Sequence, residues 1–188
     1  MTRRYALLLI SSLLTIISLP AQIELPTEFS ARLDSMGMEF IYPLETDFKE
    51  QRIVKNDFLV YDFGIRSRKE GLEIRYDLQT DAQLGDLAGN PHVATMRLVM
   101  NMGSNNDHSL VAVHSFPDST VSLDFGADWV RTYTFQPKVG FTDRETIQLV
   151  ALYREGRGLA WIFLMFNKPP FTLDARSLAL RFKSSEPN

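Results

Sequence analysis

Apolar and polar residues alternate without interruption from Leu72 to Gln79. Residues two apart lie on the same face of a β-strand, so this stretch predicts a strand with one apolar and one polar face. We expect the polar face to be open to solvent, as in many antiparallel sheets. The inward-facing residues are then Leu72, Ile74, Tyr76 and Leu78, and the outward-facing residues are Glu73, Arg75, Asp77 and Gln79.

A second stretch with the same period precedes it, from Phe58 to Arg66. Residues 67–71 separate the two stretches, and Gly71 can adopt the positive φ angle that a tight turn requires. Two alternating stretches joined by such a turn predict a β-hairpin. The residues expected to share the buried face of its first strand are Leu59, Tyr61, Phe63 and Ile65.

Residues 146–153 and 159–166 predict another hairpin around a turn that contains Gly156 and Gly158. Its second strand, from Leu159 to Phe166, is apolar at every position. A strand with two apolar faces must be covered on both sides. We therefore expect it at the centre of a sheet, in an arrangement of three layers.

A helix is predicted from Pro91 to Met102. Asn90 is a good N-cap residue, Pro91 suits the first helical position, and Gly103 is a natural end. The helical stripe consists of Val93, Met96 and Met100. A strand is the alternative, because the apolar residues from 96 to 102 also alternate, but the two caps favour the helix.

The remaining stretches predict shorter elements. Residues 22–36 are a lead-in without a clear period, 44–56 are a charged loop, and 172–183 end the chain as a helix or an edge strand. Together these elements predict an α+β fold in which helices flank an antiparallel sheet, with an all-β sandwich as the alternative. The other predicted elements are strands at Met38–Tyr42, Leu110–Phe116 and Val130–Phe135 and a short helix at Pro117–Phe125.

The N-terminus has the pattern of a secretory signal peptide. Arg3 and Arg4 precede a run of apolar and small residues from Ala6 to Leu19, and Pro20 and Ala21 follow. The run is shorter than the roughly 20 residues that a membrane-spanning helix needs, which favours cleavage over a permanent anchor. We expect residues 1–21 to be the signal, residues 22–188 to be one domain, and the protein to be periplasmic or extracellular.

Composition excludes several classes of function. Of the 20 basic residues two lie in the predicted signal, so 18 basic and 23 acidic side chains remain after cleavage. A net negative chain is not suited to binding nucleic acid, whose phosphates require a basic surface. The chain has no cysteine, which excludes disulfides and cysteine-ligated metals. We predict no cofactor.

The order of these elements resembles the PsbP-like fold, an antiparallel sheet between helical layers. The resemblance rests on residues 38–43 as the opening strand, 87–102 as the helix after the first hairpin, and 149–166 as the central hairpin. Residues 125–129 also look like a recurring element of small exported bacterial proteins. The resemblance implies an adaptor or binding module without catalytic residues.

Histidine and aspartate residues concentrate between residues 107 and 118. Asp107, His108, His114 and Asp118 are residue types that bind zinc or manganese, and Ser109 adds a hydroxyl. His108 and His114 are six apart in an extended stretch, about 20 Å at ~3.3 Å per residue, so they meet only if the chain curls. The spacing matches no metal motif, and no Gly-x-Ser-x-Gly is present. The favoured interpretation is that these four histidine and aspartate side chains are ordinary polar residues of a loop.

Two other places are candidates for binding. Trp129, next to Asp128 at an element boundary, could anchor a partner, although burial in the core is favoured for a tryptophan. Arg66, Arg68 and Lys69 crowd the tip of the first hairpin and could receive an anion or an acidic partner, although a solvated turn is the plainer interpretation.

These features predict a non-catalytic binding or assembly module of the bacterial cell envelope. It would recognise a protein partner through the loops and rim of a rigid sheet, and it would not be an enzyme. A first alternative is a periplasmic carrier of an apolar ligand, with a cavity lined by Met96, Met100 and Phe163. A second is a hydrolase that uses the region from Asp107 to Asp118.

Overall fold

The computed structural model of the protein describes residues 23–43, 47–106 and 109–184, so the predicted signal peptide lies outside the described residues. The helices are α1 (Thr27–Met36), α2 (Asp81–Leu84), α3 (Pro91–Met102), α4 (Asp118–Leu123) and α5 (Leu173–Ser177). The strands are β1 (Met38–Phe40), β2 (Lys49–Glu50), β3 (Phe63–Ser67), β4 (Leu72–Gln79), β5 (Ala112–Ser115), β6 (Trp129–Phe135), β7 (Thr146–Arg154), β8 (Gly158–Phe166) and β9 (Leu180–Phe182).

Strand β8 lies in the middle of the main sheet, as its sequence predicts. The sheet has seven strands in the order β2-β3-β4-β8-β7-β6-β5, and every neighbouring pair is antiparallel. All residues of β8 are buried. Its side chains alternate between two hydrophobic clusters, one on each face of the sheet. The central position and the cover on both sides are confirmed.

Helices cover both faces of this sheet. On one face α1 and α4 contribute Phe29, Leu33 and Val121 to a cluster that also contains the small β1–β9 pair. On the other face α3 contributes Val99 and Met102 to the second cluster. The fold is therefore α+β with an antiparallel sheet flanked by helices, as predicted, and it is not the all-β alternative.

Helix α1 was not predicted, because residues 22–36 were interpreted as a lead-in without a period. The helix buries Phe29, Leu33 and Met36, which are spaced at i, i+4 and i+7 and so lie on one face. Gly37 ends it in the left-handed conformation, with φ of 63°. The prediction for this segment is wrong, although the helical spacing was present in the sequence.

Helix α3 has the predicted limits but not the predicted buried face. Pro91 is its first residue and Gly103 follows its last, whereas the Asn90 side chain makes no capping hydrogen bond. The buried residues are Ala94, Thr95, Val99 and Met102. The predicted stripe of Val93, Met96 and Met100 instead lies toward the surface, with Val93 and Met100 exposed. The helix is confirmed, and its stripe is a surface feature.

The expected solvent-open face of β4 is buried. Glu73, Arg75 and Asp77 are at most 4% exposed. This side of the sheet carries the second hydrophobic cluster, which includes Phe141 from the segment between β6 and β7. Leu59 packs against that second cluster, whereas Phe63 and Ile65 belong to the first. The prediction of a solvent-open face on β4 is wrong, because the segment that contains Phe141 covers that face. The prediction that Leu59 shares a face with Phe63 and Ile65 is wrong, because β3 begins only at Phe63 and the chain before it lies against the other face.

The end of the chain contains both of the predicted alternatives. Residues 173–177 form α5, and β9 follows at residues 180–182. Strand β9 does not join the edge of the main sheet; it pairs with β1, with Met38 opposite Phe182. Met38 and Phe182 are both buried in the first cluster, so this small pair closes one face of the protein.

Candidate functional site

The two edges of the main sheet differ in length and charge. Strand β2 forms one edge and consists only of Lys49 and Glu50. Strand β5 forms the other edge and contains no lysine, arginine, aspartate, glutamate or proline from Ala112 to Ser115, and all of its residues are exposed. Short length, charged side chains and proline protect an edge strand against pairing with another chain. Strand β5 is longer than β2 and has neither a proline nor an acidic or basic residue of the Asp, Glu, Lys and Arg types.

The exposed surface of α3, which packs on β6 and β7, is largely apolar. Val93, Met96 and Met100 lie there together with His92 and Arg97 around a shallow groove. Val93 is 48% exposed and Met100 66% exposed, and Val113 on β5 is 47% exposed. Methionine side chains are flexible and polarizable and adapt to different partners, so this patch is suited to recognition.

A row of polar and aromatic contacts connects α3 to β6. The Nδ1 atom of His92 lies 2.7 Å from the Tyr133 hydroxyl and 3.2 Å from Nη1 of Arg131. The Arg131 guanidinium lies 5.7 Å from the ring centre of Trp129. Tyr133 is the cross-strand partner of Val113. We define the α3–β5 surface as the exposed and half-buried residues of α3, β5 and β6 on this side of the sheet; it consists of His92, Val93, Met96, Met100, Val113, Trp129 and Arg131, whereas Tyr133 is fully buried.

Burial affects the ionisation of one residue in this row. Desolvation raises the pKa of the Tyr133 hydroxyl above its ordinary value, and the positive charge of Arg131 opposes the shift. Tyr133 is therefore a neutral hydrogen-bonding group at physiological pH. Its ring stacks on the His92 imidazole at an interplanar angle of 20°, which holds the N-terminal turn of α3 against β6.

Trp129 and Asp128, both predicted as binding residues, differ in burial and in the groups that they contact. Trp129 is half-buried and packs against the second cluster while its ring faces Arg131. Asp128 is exposed, and its Oδ2 accepts a hydrogen bond of 2.8 Å from the backbone N–H of Glu155. Asp128 thus holds the turn between β7 and β8.

The predicted cluster of histidine and aspartate is not assembled by the residues that the structure describes. Asp107 and His108 lie outside them. His114 pairs with Thr132, one position along β5 from Val113, and its ring contacts Phe116. Asp118 begins α4 and is exposed. Among residues 23–43, 47–106 and 109–184, no group of three or more histidine, cysteine, aspartate and glutamate side chains is placed to hold a metal ion.

Arg66 and Arg68 line a groove of about 410 Å³ at the tip of the first hairpin. Lys49, Asp47 and Glu50 line the same groove, so acids accompany the basic side chains. Asp47 accepts hydrogen bonds from the Ser67 hydroxyl and from the backbone N–H groups of Arg68 and Lys69. The bond from Ser67 is the main reason why the pKa of Asp47 is lowered. The acids weaken this groove as an anion site.

The alternative carrier cavity is not formed by the predicted residues. Phe163 is fully buried and packs against Phe141, at 5.9 Å between ring centres. Met100 is exposed on the outer side of α3, and Met96 is half-buried against the margin of the second cluster. Phe163 therefore belongs to a packed interior, whereas Met96 and Met100 belong to the α3–β5 surface.

Sequence reasoning missed a row of buried ionisable side chains on β4. Arg75 pairs with Glu73 at 2.6 Å, donates to the Phe141 carbonyl at 2.9 Å, and lies between the rings of Tyr61 and Phe141. Burial, reinforced by the charge of Asp62, raises the pKa of Asp77 to about 7. The Asp77 Oδ1 accepts from Gln79, but Oδ2 has no hydrogen-bond partner. A strand that alternates polar and apolar residues gives no sequence signal for this burial.

Comparison with known proteins finds no matching family model, no similar curated protein and no similar solved structure. The PsbP-like resemblance therefore stays a prediction. In the described part of the chain, no helix is both long and apolar enough to span a bilayer.

Proposed function

We propose that this protein is a non-catalytic binding module of the bacterial cell envelope, and that it binds an extended segment of a partner protein along β5. The observation that carries the proposal is the outer edge of β5, which has no lysine, arginine, aspartate or glutamate, together with the exposed apolar groups of α3, a helix that packs on the neighbouring strand β6. A peptide added to a sheet edge gains main-chain hydrogen bonds, and neighbouring side-chain sites give it specificity.

The contrast between the two sheet edges favours β5 over β2. A second chain approaching β2 meets Lys49 and Glu50 on a strand of only two residues. On β5 it meets Ala112, Val113, His114 and Ser115. Charged side chains on an edge strand disfavour pairing, because pairing with another chain would desolvate them. The partner segment is therefore expected to add to β5.

The side chains of the α3–β5 surface are suited to holding such a segment. Tryptophan and arginine are among the residues that dominate the binding energy of many protein interfaces, and the half-buried Trp129 and Arg131 stand on one face of β6, next to the fully buried Tyr133. Met96 and Met100 supply an adaptable apolar surface beside them. We expect apolar side chains of the partner to contact the two methionines, and a carbonyl or carboxylate of the partner to accept from Arg131.

Two observations support a non-catalytic role in an exported protein. The signal-peptide pattern at residues 1–21 supports export. His114 and Asp118, the described members of the histidine–aspartate cluster, have separate contacts: His114 with Phe116, and Asp118 at the start of α4. A nucleophilic mechanism requires a base within hydrogen-bond reach of its partners.

Site-specific photocrosslinking in cells tests this proposal. A photoreactive amino acid is placed at Val113 or at Met100, and matched controls carry it at Lys49 on the opposite edge and at the exposed Val139. We expect Val113 and Met100 to crosslink to the same protein of the envelope fraction, and both controls to give no such product. Equal crosslinking from all four positions, or none from Val113 and Met100, would contradict the proposal.

A further inference from the structure

The elements that form the α3–β5 surface contain no acidic residue. Helix α3, strand β5 and strand β6 have no aspartate or glutamate, although the chain has 23 such residues. They do have two arginines, Arg97 on α3 and Arg131 on β6. These elements are therefore positive, whereas the whole chain has a net charge of −3. A positive region on a negative protein attracts negatively charged partners and orients them on approach.

Two aspartates lie just outside these strands, and neither neutralises the surface. Asp128 precedes β6, and its Oδ2 accepts the backbone N–H of Glu155 at 2.8 Å. Asp118 follows β5 and begins α4, a helix that packs in the first cluster on the opposite face of the sheet. In the described part of the chain, neither carboxylate forms an ion pair with Arg97 or Arg131.

Arg131 is half-buried and has no carboxylate partner among the residues that the structure describes. Its Nη1 lies 3.2 Å from Nδ1 of His92, and its guanidinium faces the ring of Trp129. Neither neighbour carries a negative charge, so the positive charge of Arg131 is not balanced locally. A partly desolvated guanidinium pairs strongly with a carboxylate that reaches it, because both hydrogen bonds and charge contribute.

The register of the sheet places Arg131 within reach of a strand added outside β5. Arg131 is the cross-strand partner of Ser115, so the two side chains lie on the same face. An added strand would bring one residue opposite Ser115 on that face, with its backbone about 10 Å from that of Arg131. The short serine side chain leaves the space between them open to a carboxylate. Val113 lies on the same face, two positions before Ser115.

We propose that the segment bound along β5 is acidic, and that Arg131 determines this specificity. A carboxylate side chain opposite Ser115 pairs with the Arg131 guanidinium, and an apolar side chain two positions away contacts Val113. This inference rests on the proposed function and adds the chemistry of the partner to it. It assigns Arg131 a role that the open edge of β5 does not require, so the two claims can fail separately.

Selection from a random peptide library displayed on phage, with the purified full chain as target, tests the inference. Selected peptides are then synthesised, and those that crosslink to a photoreactive amino acid at Val113 but not to one at Lys49 are counted as bound to β5. We expect these peptides to share an acidic residue two positions from an apolar one. Such peptides without an excess of acidic residues would overturn the inference and leave the proposed function standing. A selection that yields no peptide bound to β5 would contradict both.

Variants at position 131 separate a direct ion pair from a general effect of charge. Replacing the acidic residue of a selected peptide by its amide should weaken binding to the wild type about tenfold, and Arg131→Gln should remove this difference, because both changes delete the same pair. Arg131→Lys keeps the charge and should keep the preference for the acidic peptide. Arg66→Glu, at an exposed arginine of β3, is the control for net charge and should also keep it. With melting temperatures confirming that each variant folds, an unchanged preference in Arg131→Gln, or its loss in Arg66→Glu, would overturn the inference.

Discussion

The buried carboxyl group of Asp77 is expected to make the protein less stable as pH rises. Its pKa in the folded protein is about 7, against an ordinary value of 3.8, because burial and the nearby charge of Asp62 disfavour ionisation. Between these two values the folded chain holds a proton that the unfolded chain has released. Folding therefore takes up a proton, and raising the pH opposes folding until the folded group has also ionised.

The size of this effect follows from the difference between the two pKa values. One pKa unit corresponds to 1.36 kcal/mol, so the ionised carboxylate of Asp77 costs up to about 4 kcal/mol in the folded state. From pH 5 to pH 8.5 the wild-type protein should lose about 3 kcal/mol of unfolding free energy through this group. Asp62, whose pKa burial also raises, adds a loss of the same sign.

The test is urea denaturation of the wild type and of Asp77→Asn at pH 5 and pH 8.5. The amide cannot ionise, so the unfolding free energy of the variant should fall much less from pH 5 to pH 8.5 than that of the wild type. At pH 8.5 the variant should be up to about 4 kcal/mol more stable than the wild type. Asp57→Asn, at an exposed aspartate, is the matched control and should keep the wild-type slope. An unchanged slope in Asp77→Asn, or a wild type that gains stability from pH 5 to pH 8.5, would refute the reasoning.

The remaining predictions concern packing and are checked by urea denaturation at pH 7. Gly126→Ala should lower the free energy of unfolding by more than about 2 kcal/mol, because φ is 58° and a Cβ would lie 2.4 Å from the Phe182 carbonyl oxygen. Gly71→Ala, at φ of 63° with open space around it, should lower it by only about 1–2 kcal/mol. Equal costs would contradict this close approach. Phe163→Ala should cost about 3–5 kcal/mol, and a loss below 1 kcal/mol would mean that the second cluster is not tightly packed. Arg75→Met should cost about 3–5 kcal/mol because Glu73 stays buried without its partner, and adding Glu73→Gln should recover much of that loss; no recovery would show that the ion pair is not the cause.

The sequence predicts the centre of this fold better than its surroundings. The apolar run from Leu159 to Phe166 indicates a strand covered on both sides, and β8 has that position. Asn90, Pro91 and Gly103 correctly mark the limits of α3, since a proline at the first position and a glycine after the last are local signals. These predictions succeed because the information is carried by neighbouring residues.

Predictions that depend on distant parts of the chain are less accurate. The polar face of β4 alternates as a solvated face would, but Phe141, more than sixty residues away, packs above Arg75. Alternation reports which residues are polar and does not report what covers them. Helix α1 was missed for another reason: Phe29, Leu33 and Met36 have helical spacing, but only three apolar positions carry the signal.

The candidate site could be predicted only in its parts. Trp129 was recognised as a possible anchor, and the period of β6 places Arg131 and Tyr133 on the same face, but the sequence does not show that His92 of α3 contacts this row. The open edge depends on the order of strands in the sheet, which a single sequence does not reveal.

A charged residue on the β5 edge tests the central claim most directly. Val113→Lys gives β5 the kind of charge that Lys49 gives β2, and Val139→Lys places the same charge at a residue that is 98% exposed. The measurement is the yield of the crosslinked product from position 100 in the two backgrounds, with melting temperatures confirming that both variants fold. The account predicts that Val113→Lys abolishes the product and that Val139→Lys preserves it. Equal yields from the two folded variants would contradict the claim that a partner segment binds along β5.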